Sequence, residues 1–586
     1  EYLLMKKHKK LTAQFTVIMA FSFILSGCSS KNAEESSTAV EITEEEETSV
    51  ENKSPAEDDT SVGSNEKSPD TTTSDDKPEN SSQNEVLDIL IENHMQYGYM
   101  TSGERSMAIT TDYDSPLLDT KYSLSYPELY DALFREAQHD ASLASENMTS
   151  FEDSAKEFLT DNITSAERLF DEKRISIIRA DSKLLSFRED VSWFGGGAHG
   201  NYGTTGKNYD TVSGRKLSLN DVIADKEQFI EAVKNQLNEN YNVKQGYSLN
   251  IDYGEQLLRD SFHFDTDSEE VEWTLCYTQI SVYFSPYTLG SYAEGAQTVV
   301  LSFDQYPELI KPEYTENLPD AYIYKLTPYE NTIFEDLDSD GNSEKLDINI
   351  TYTGREDEYP EEYTLTIQSG SMECNFNFRS YGNCEPFFVK NTDGSCYLYL
   401  FTSHENDYSV LLIYKITNSN VTPASLDNFA PFCLEQNYEE LETNLENSYR
   451  SAYRTLNYTL TNPEHMMLSS RLSTLSTCFG YKDYHANVTG APQSEQDFLI
   501  SDPLRFQLKQ DFELELCGKD EKPSGKNQIV SKGAVLYPYA TDGISYLLFK
   551  DADGTLFYAE IEVNQYPQLI NGVVAEEIFD GMMYSG

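Results

Sequence analysis

Trp193-Phe194-Gly195-Gly196-Gly197-Ala198-His199-Gly200 is the stretch on which the fold reading turns. Behind it come Asn208-Tyr209-Asp210 and Ser213-Gly214-Arg215-Lys216-Leu217-Ser218-Leu219-Asn220-Asp221. The glycines at 195–197 permit positive φ and close backbone approach, so the run reads as a turn between extended segments. Ser213-Gly214 is a hairpin signal, with an extended segment before it and an alternating one after it. Leu219-Asn220-Asp221 then leads to a helix over 226–241, capped near Asp225. The glycine run is not a phosphate cradle, because it has neither the Lys-Ser/Thr of a P-loop nor GxGxxG spacing. His199 beside glycine reads as a turn residue bonded to the backbone. No Ser or Cys nucleophile with an orienting acid accompanies it. The eight His (8, 94, 139, 199, 263, 404, 465, 485) show no HxH or HxxxH pair for a metal.

Working outward, Ile175 to Trp193 reads as strands of a meander. Glu128 to Phe170 has helical spacing, and the polar stretch 145–150 predicts a split into two helices. Leu117 to Tyr126 alternates like a strand. Val86 to Tyr97, apolar at Val86, Leu87, Leu90, Ile91 and Met95, predicts a short helix. Downstream, Val282-Tyr283-Phe284-Ser285-Pro286-Tyr287-Thr288-Leu289-Gly290 precedes Tyr292-Ala293-Glu294-Gly295.

In this order, the glycine turn, the Ser-Gly-Arg-Lys-Leu-Ser-Leu hairpin and the Phe-Ser-Pro-Tyr strand resemble a bacterial extracytoplasmic family. It occurs as the ectodomain of lysozyme-sensing anti-sigma factors (RsiV) and ahead of the catalytic domain of peptidoglycan deacetylases (PdaC). The resemblance covers about 95–310. It implies α+β architecture, with helices packed on a curved antiparallel sheet. It also implies a non-catalytic binding module, whose family-motif loop here is Gly196, Gly197, His199, Gly200 and Tyr287. In the anti-sigma factors a cytoplasmic segment and a transmembrane helix come first; here a lipobox takes that place. In the deacetylases a metal-dependent domain follows, and nothing after 311 shows its motif. Only the ectodomain carries over.

Met5 reads as the start. Lys6, Lys7, Lys9 and Lys10 form a positive n-region, and Leu11 to Gly27 is uncharged and mostly apolar. Leu25-Ser26-Gly27-Cys28 matches a lipobox, so residues 1–27 read as a lipoprotein signal peptide and Cys28 as the lipidation site. The expected location is the outer face of the cytoplasmic membrane of a Gram-positive cell, exposed to the wall. Residues 28–85 are acidic and rich in Ser and Thr, with few apolar residues, and read as a tether that cannot support a core.

The region 86–311 is the family-like module. Pro312 to Pro319 reads as a linker, and 312–500 as a β-rich module. Phe334 is followed by Glu335-Asp336-Leu337-Asp338-Ser339-Asp340-Gly341-Asn342-Ser343-Glu344-Lys345-Leu346-Asp347. Oxygen ligands at alternate positions and glycine at the sixth match a Ca²⁺ loop of Asp336, Asp338, Asp340, Asn342, Glu344 and Asp347. An acidic β-turn fits the same residues, and the flanks alternate like strands. Short strands follow at 363–367, 375–378, 386–390, 397–402 and 410–416, then a helical interlude over 434–453 and 464–475. Residues 501–586 hold a five-strand unit with Lys532-Gly533, Thr541-Asp542-Gly543 and Asp553-Gly554, and resemble small SH3-like barrels of bacterial surface proteins. Cys374 and Cys384 read as cross-hairpin neighbours, able to form a disulfide or remain reduced.

The chain has 586 residues, with 43 Lys+Arg against 100 Asp+Glu and a net charge of −57. That argues against nucleic acid, which needs a basic surface. It suits a cationic partner or simple solubility. The leading expectation is a cell-surface lipoprotein, not an enzyme, that binds a lysozyme-like protein or peptidoglycan glycan. It would have no cofactor beyond Ca²⁺. The alternatives are an envelope hydrolase using a carboxylate pair, or a spacer without small ligand.

Overall fold

The computed structural model describes residues 85–583, apart from 104, 161–167, 243–245, 263–270, 328–329, 355–360, 383, 405–408, 428, 442–447, 488–489 and 502–503. The signal-peptide, Cys28 and tether readings lie outside the described residues. The fold is mixed α+β, with far more strand than helix.

The first element corrects the sequence reading. Where apolar spacing predicts a helix, residues Ile89–Ser102 form strand β1. It is bonded on one side to β2 (Arg105–Leu118) and on the other to a strand at Ser448–Tyr458. A short helix is marginal alone, whereas a strand with two neighbours satisfies every backbone group. Gly98 permits the tight contact beneath β1: a Cβ there would lie 2.7 Å from Ile109. The predicted strand at 117–126 instead ends at Leu118. There Asp119 accepts from the Lys121 amide at 3.0 Å and starts a 3-10 turn.

Helix α1, Pro127–Thr160, runs unbroken through the predicted split. Its buried stripe of Leu129, Leu133, Ala144, Met148, Phe151 and Ala155 keeps helical spacing across 145–150, so burial overrides the local polar composition. The helix is the crossover that lets β3 (Arg168–Ala180) pair parallel with β2. Strands β4 (Leu184–Phe194) and β5 (Asn201–Asp210) complete the meander as expected. After the Ser213-Gly214 turn, helix α2 (Lys226–Asn240) starts where Asp225 accepts from the Gln228 amide. Helix α3 (Ile251–Ser261) and a three-stranded sheet of β6 (Glu272–Leu275), β7 (Gln279–Phe284) and β8 (Gln297–Ser302) enclose a core around Phe229, Leu258, Trp273 and Val282.

The expected linker at 312–319 is packed. Pro312–Tyr314 is a 3-10 turn, Tyr314 is buried, and its carbonyl accepts from buried Arg179 at 2.8 Å. Strand β9 (Tyr322–Lys325) has no counterpart in the sequence reading, whereas β10 (Thr332–Glu335), β11 (Glu344–Tyr352), β12 (Glu361–Ser369), β13 (Met372–Ser380), β14 (Cys384–Lys390), β15 (Cys396–Ser403) and β16 (Ser409–Ile416) fall where strands are expected. Sheet β10–β13 and the sheet holding β9 and β14–β16 share a core around Leu346, Leu365, Tyr322 and Leu398. Cys374 pairs across the ladder with Ile367, and Cys384 with Thr402, because β13 and β14 belong to different sheets. Among the described residues both thiols are free.

The helical interlude at 434–475 is a second correction. Cys433–Leu441, Ser448–Tyr458 and Met466–Thr474 are strands. The first two extend the β1–β5 sheet, giving the order Cys433–Leu441, Ser448–Tyr458, β1, β2, β3, β4, β5. Main-chain pairing therefore crosses position 311. The third correction concerns the expected small barrel. Among the described residues no closed barrel forms: the strands of 504–563 continue a sheet that already holds Met466–Thr474 and Ser476–Ala486. Phe498–Ile500 joins that sheet to Val535–Thr541.

Candidate functional site

Three segments far apart in sequence meet at the start of β5. The glycine turn arrives from β4, with Gly196 at φ 100° and Gly197 at φ 116°. A Cβ at Gly196 would lie 2.5 Å from the Phe158 ring. His199 Nδ1 donates to the Gly200 carbonyl at 2.8 Å, the turn role expected from sequence. Its ring stacks on Tyr292 at 4.2 Å. The Tyr292 hydroxyl donates to the same Gly200 carbonyl at 3.0 Å. Tyr202 meets Tyr292 edge-on at 5.9 Å, and Tyr287 lies 5.4 Å from it. The five family-loop residues are thus at one place, and Tyr202 and Tyr292 complete an aromatic cluster.

Tyr287 is 52 % exposed and sits at φ 71°. A bulky residue in that region is strained, and the surroundings must hold it there. The turn is fixed from both sides. The Thr288 amide donates to the Ser285 carbonyl at 3.1 Å, and Ser285 Oγ accepts from the Thr204 amide at 3.1 Å. Glu294 accepts from the Ser291 and Ser248 amides, both at 2.6 Å, and these backbone donors hold its carboxyl below the usual range.

Beside the cluster, a cavity of about 180 Å³ opens between the β3–β5 surface and the edge of β7 and β8. Glu172, Arg174, Asp190, Tyr202, Tyr283 and Gln297 are among its lining. Arg188, 1 % exposed, forms its floor. Its Nε and Nη2 donate to Asp190 Oδ1 at 2.9 and 2.7 Å, and its Nη1 donates to Thr327 Oγ1 at 3.1 Å. The guanidinium lies 4.8 Å over the Tyr283 ring. The Tyr283 hydroxyl donates to Glu330 Oε2 at 2.5 Å. Burial, reinforced by that carboxylate, pushes it well above the ordinary phenol range. Sequence reasoning missed Arg188, Asp190 and Gln297, because alternation along a strand does not say which face another sheet will cover.

The acidic loop divides its predicted ligands. Carboxylate oxygens of Asp336, Asp338 and Asp340 lie within 4.8 Å of one another. The amides of Asp340 and Gly341 donate to Asp336 at 3.1 and 2.9 Å. The other three predicted residues make hydrogen bonds of their own. The Asn342 amide group donates to Asp340 at 3.0 Å, Glu344 accepts from the Leu337 amide at 2.8 Å, and Asp347 accepts from Thr332 at 2.7 Å. The flanks are β10 and β11, strands as expected.

No known family profile matches the sequence, and no curated protein matches it. Solved structures of DUF3298 family proteins are its structural neighbours. One, from Bacteroides fragilis, is 17% identical, covers 39% of this chain and 96% of its own, and has a TM-score of 0.29. Another, from Pseudomonas aeruginosa PAO1, is 15% identical, covers 40% of this chain and 99% of its own, and has a TM-score of 0.27.

Proposed function

We propose that this chain is a lipid-anchored protein of the bacterial cell surface that binds a cationic, wall-directed protein of the lysozyme class without transforming it. The binding end is the cluster of Tyr287, Tyr292, Tyr202 and His199. One observation carries the reading: Tyr287 is held exposed, at a backbone angle that costs an L-residue about 1–2 kcal/mol, on a turn braced by hydrogen bonds from β5. Strain kept on an exposed aromatic residue is understandable where that residue is presented to a partner. The net charge of −57 favours a cationic partner over long range.

The test is a titration of the full chain with lysozyme, and in parallel with soluble muropeptides, at physiological salt. Lysozyme is expected to bind saturably, and Tyr287→Ala to weaken it by about tenfold or more. Binding that disappears as salt shortens the screening length to about 8 Å would be charge alone and would sink the reading. Muropeptide binding without lysozyme binding would transfer the site to glycan, and muropeptide consumption would establish the hydrolase alternative. Anchoring has its own test: incorporation of labelled fatty acid, expected for the native chain and lost in Cys28→Ala.

A further inference from the structure

We infer that the cavity beside Tyr202 is a recognition pocket for a basic side chain, the guanidinium or ammonium group of an Arg or Lys on the bound protein. This deepens the reading of a cationic partner and rests on it.

Both arginines in the lining are paired with carboxylates. Arg188 is bound to Asp190, Thr204 and Thr327. Arg174 forks onto Asp112 at 2.8 and 2.5 Å. The acceptors are not used up in the same way. Asp190 takes the Arg188 bonds and the Thr204 hydroxyl all on Oδ1, which leaves Oδ2 without a donor among the described residues. Glu172 takes Arg168 on Oε1 at 2.7 Å and, among the described residues, no hydrogen bond on Oε2.

The independent observation is Gln297. Its residue is 1 % exposed, its Nε2 donates to the Glu294 and Gly295 carbonyls at 3.2 and 2.7 Å, and its Oε1 is buried with no partner. An amide flip does not relieve this, because it would place the oxygen against two carbonyls. A buried acceptor left unmade is costly, so a donor is called for at this position. Charge does not oppose it: the lining carries Glu172 and Asp190 beside Arg174 and Arg188, and behind the lining Arg174 is paired with Asp112 and Asp114, and Arg188 lies 3.9 Å from Glu330.

A metal ion fits less well. Among the described residues the convergent group of three acidic ligands is at 336–340, not here. The volume of about 180 Å³ corresponds to roughly six waters at ~30 Å³ each, room for the head of one long basic side chain. The pocket adjoins Tyr202, so a protein seated on the aromatic cluster can place such a side chain in it.

The experiment titrates the full chain with N-acetyl-arginine amide, N-acetyl-lysine amide and the neutral isostere N-acetyl-citrulline amide, followed by NMR, then repeats the lysozyme titration. At least one cationic compound is expected to saturate and to compete with lysozyme, and citrulline to do neither. Glu172→Gln is expected to weaken both the compound and lysozyme by about tenfold. Gln297→Leu removes the buried acceptor and is expected to act in the same direction. Equal binding of citrulline, or native affinity in Glu172→Gln, overturns the pocket. If lysozyme binding stays sensitive to Tyr287→Ala in that case, the proposed function stands and only the pocket assignment falls. A cationic compound that binds without competing assigns the pocket to a free amine and overturns the protein side chain as its occupant.

Discussion

The acidic loop at 336–347 and the aromatic end at 193–204 and 284–297 are both candidate sites, and they differ in how they are built. The loop is mostly local: its carboxylates cap amides a few residues away, and Gly341, at φ 89°, has open space where a Cβ would go, while two remote bonds tie it down, Asn418 donating to Asp338 at 2.6 Å and the Ser343 amide to Asp304 at 2.8 Å. The aromatic end is non-local. Tyr292 bonds to Gly200, Ser285 to Thr204, and Asn208 to the Trp273 carbonyl at 2.8 Å. A mostly local loop can commit half its predicted ligands to neighbouring side chains and backbone at little cost. A non-local cluster fixes the position of every side chain in it, because several segments must agree.

The largest expected effect tests that contrast through glycine. At Gly206 a Cβ would lie 1.8 Å from the Trp273 carbonyl oxygen, where β5 backs onto β6. Gly206→Ala is expected to cost about 3 kcal/mol or more, or to prevent folding, measured by denaturant unfolding. A second test applies the same logic to charge. His465 Nδ1 lies 2.9 Å from Asp88, and Nε2 lies 3.0 Å from Asp483, tying together residues nearly 400 positions apart. The Asp483 contact first, then Asp88, raise the imidazole to about 9. Because the folded value is raised, this stabilisation is complete below the ordinary value near 6.5 and is lost as pH climbs through about 9. His465→Gln should remove about 2 kcal/mol at pH 6 and flatten the decline between pH 6.5 and 9 relative to the native chain. Equal slopes for the two proteins would break the claim.

Smaller effects sharpen the comparison. Gly341→Ala in the open acidic loop is expected to cost only about 1 kcal/mol, the conformational penalty alone. If it matched Gly206→Ala, the distinction between local and non-local construction would fail. Tyr287→Gly should stabilise the chain by about 1 kcal/mol by relieving positive φ, while weakening lysozyme binding. A loss of stability instead would mean that the ring contributes to packing rather than to presentation.

Much of the fold was readable where one face of a strand is buried and the pattern is its own proof. The alternation at β11 to β13, the meander of β3 and β4, and the Asp225 cap of α2 are such cases. Val86–Tyr97 and 434–475 were not, since their apolar spacing fits a helix or a strand and the deciding partner is remote. Met95 faces Tyr453 across the ladder, 358 residues away. The site divides in the same way. Gly196, Gly197, His199, Gly200 and Tyr287 came from a motif, whereas Gln297, Asp190 and Arg188 acquire a role only because β7 and β8 close over β4 and β5.

The sequence by itself determined the periodicity of the half-buried strands, the caps and turns, the acidic excess and the residues of the motif loop, because these depend on side-chain pattern and short-range backbone chemistry. Tertiary structure decided that 89–102 is a strand, that 312–319 is packed, that the last strands extend a sheet rather than close a barrel, and that Gln297, with an unsatisfied amide oxygen, lines a cavity. Each of those depends on which distant backbone edge or side chain fills the neighbouring space, and local pattern carries no record of that.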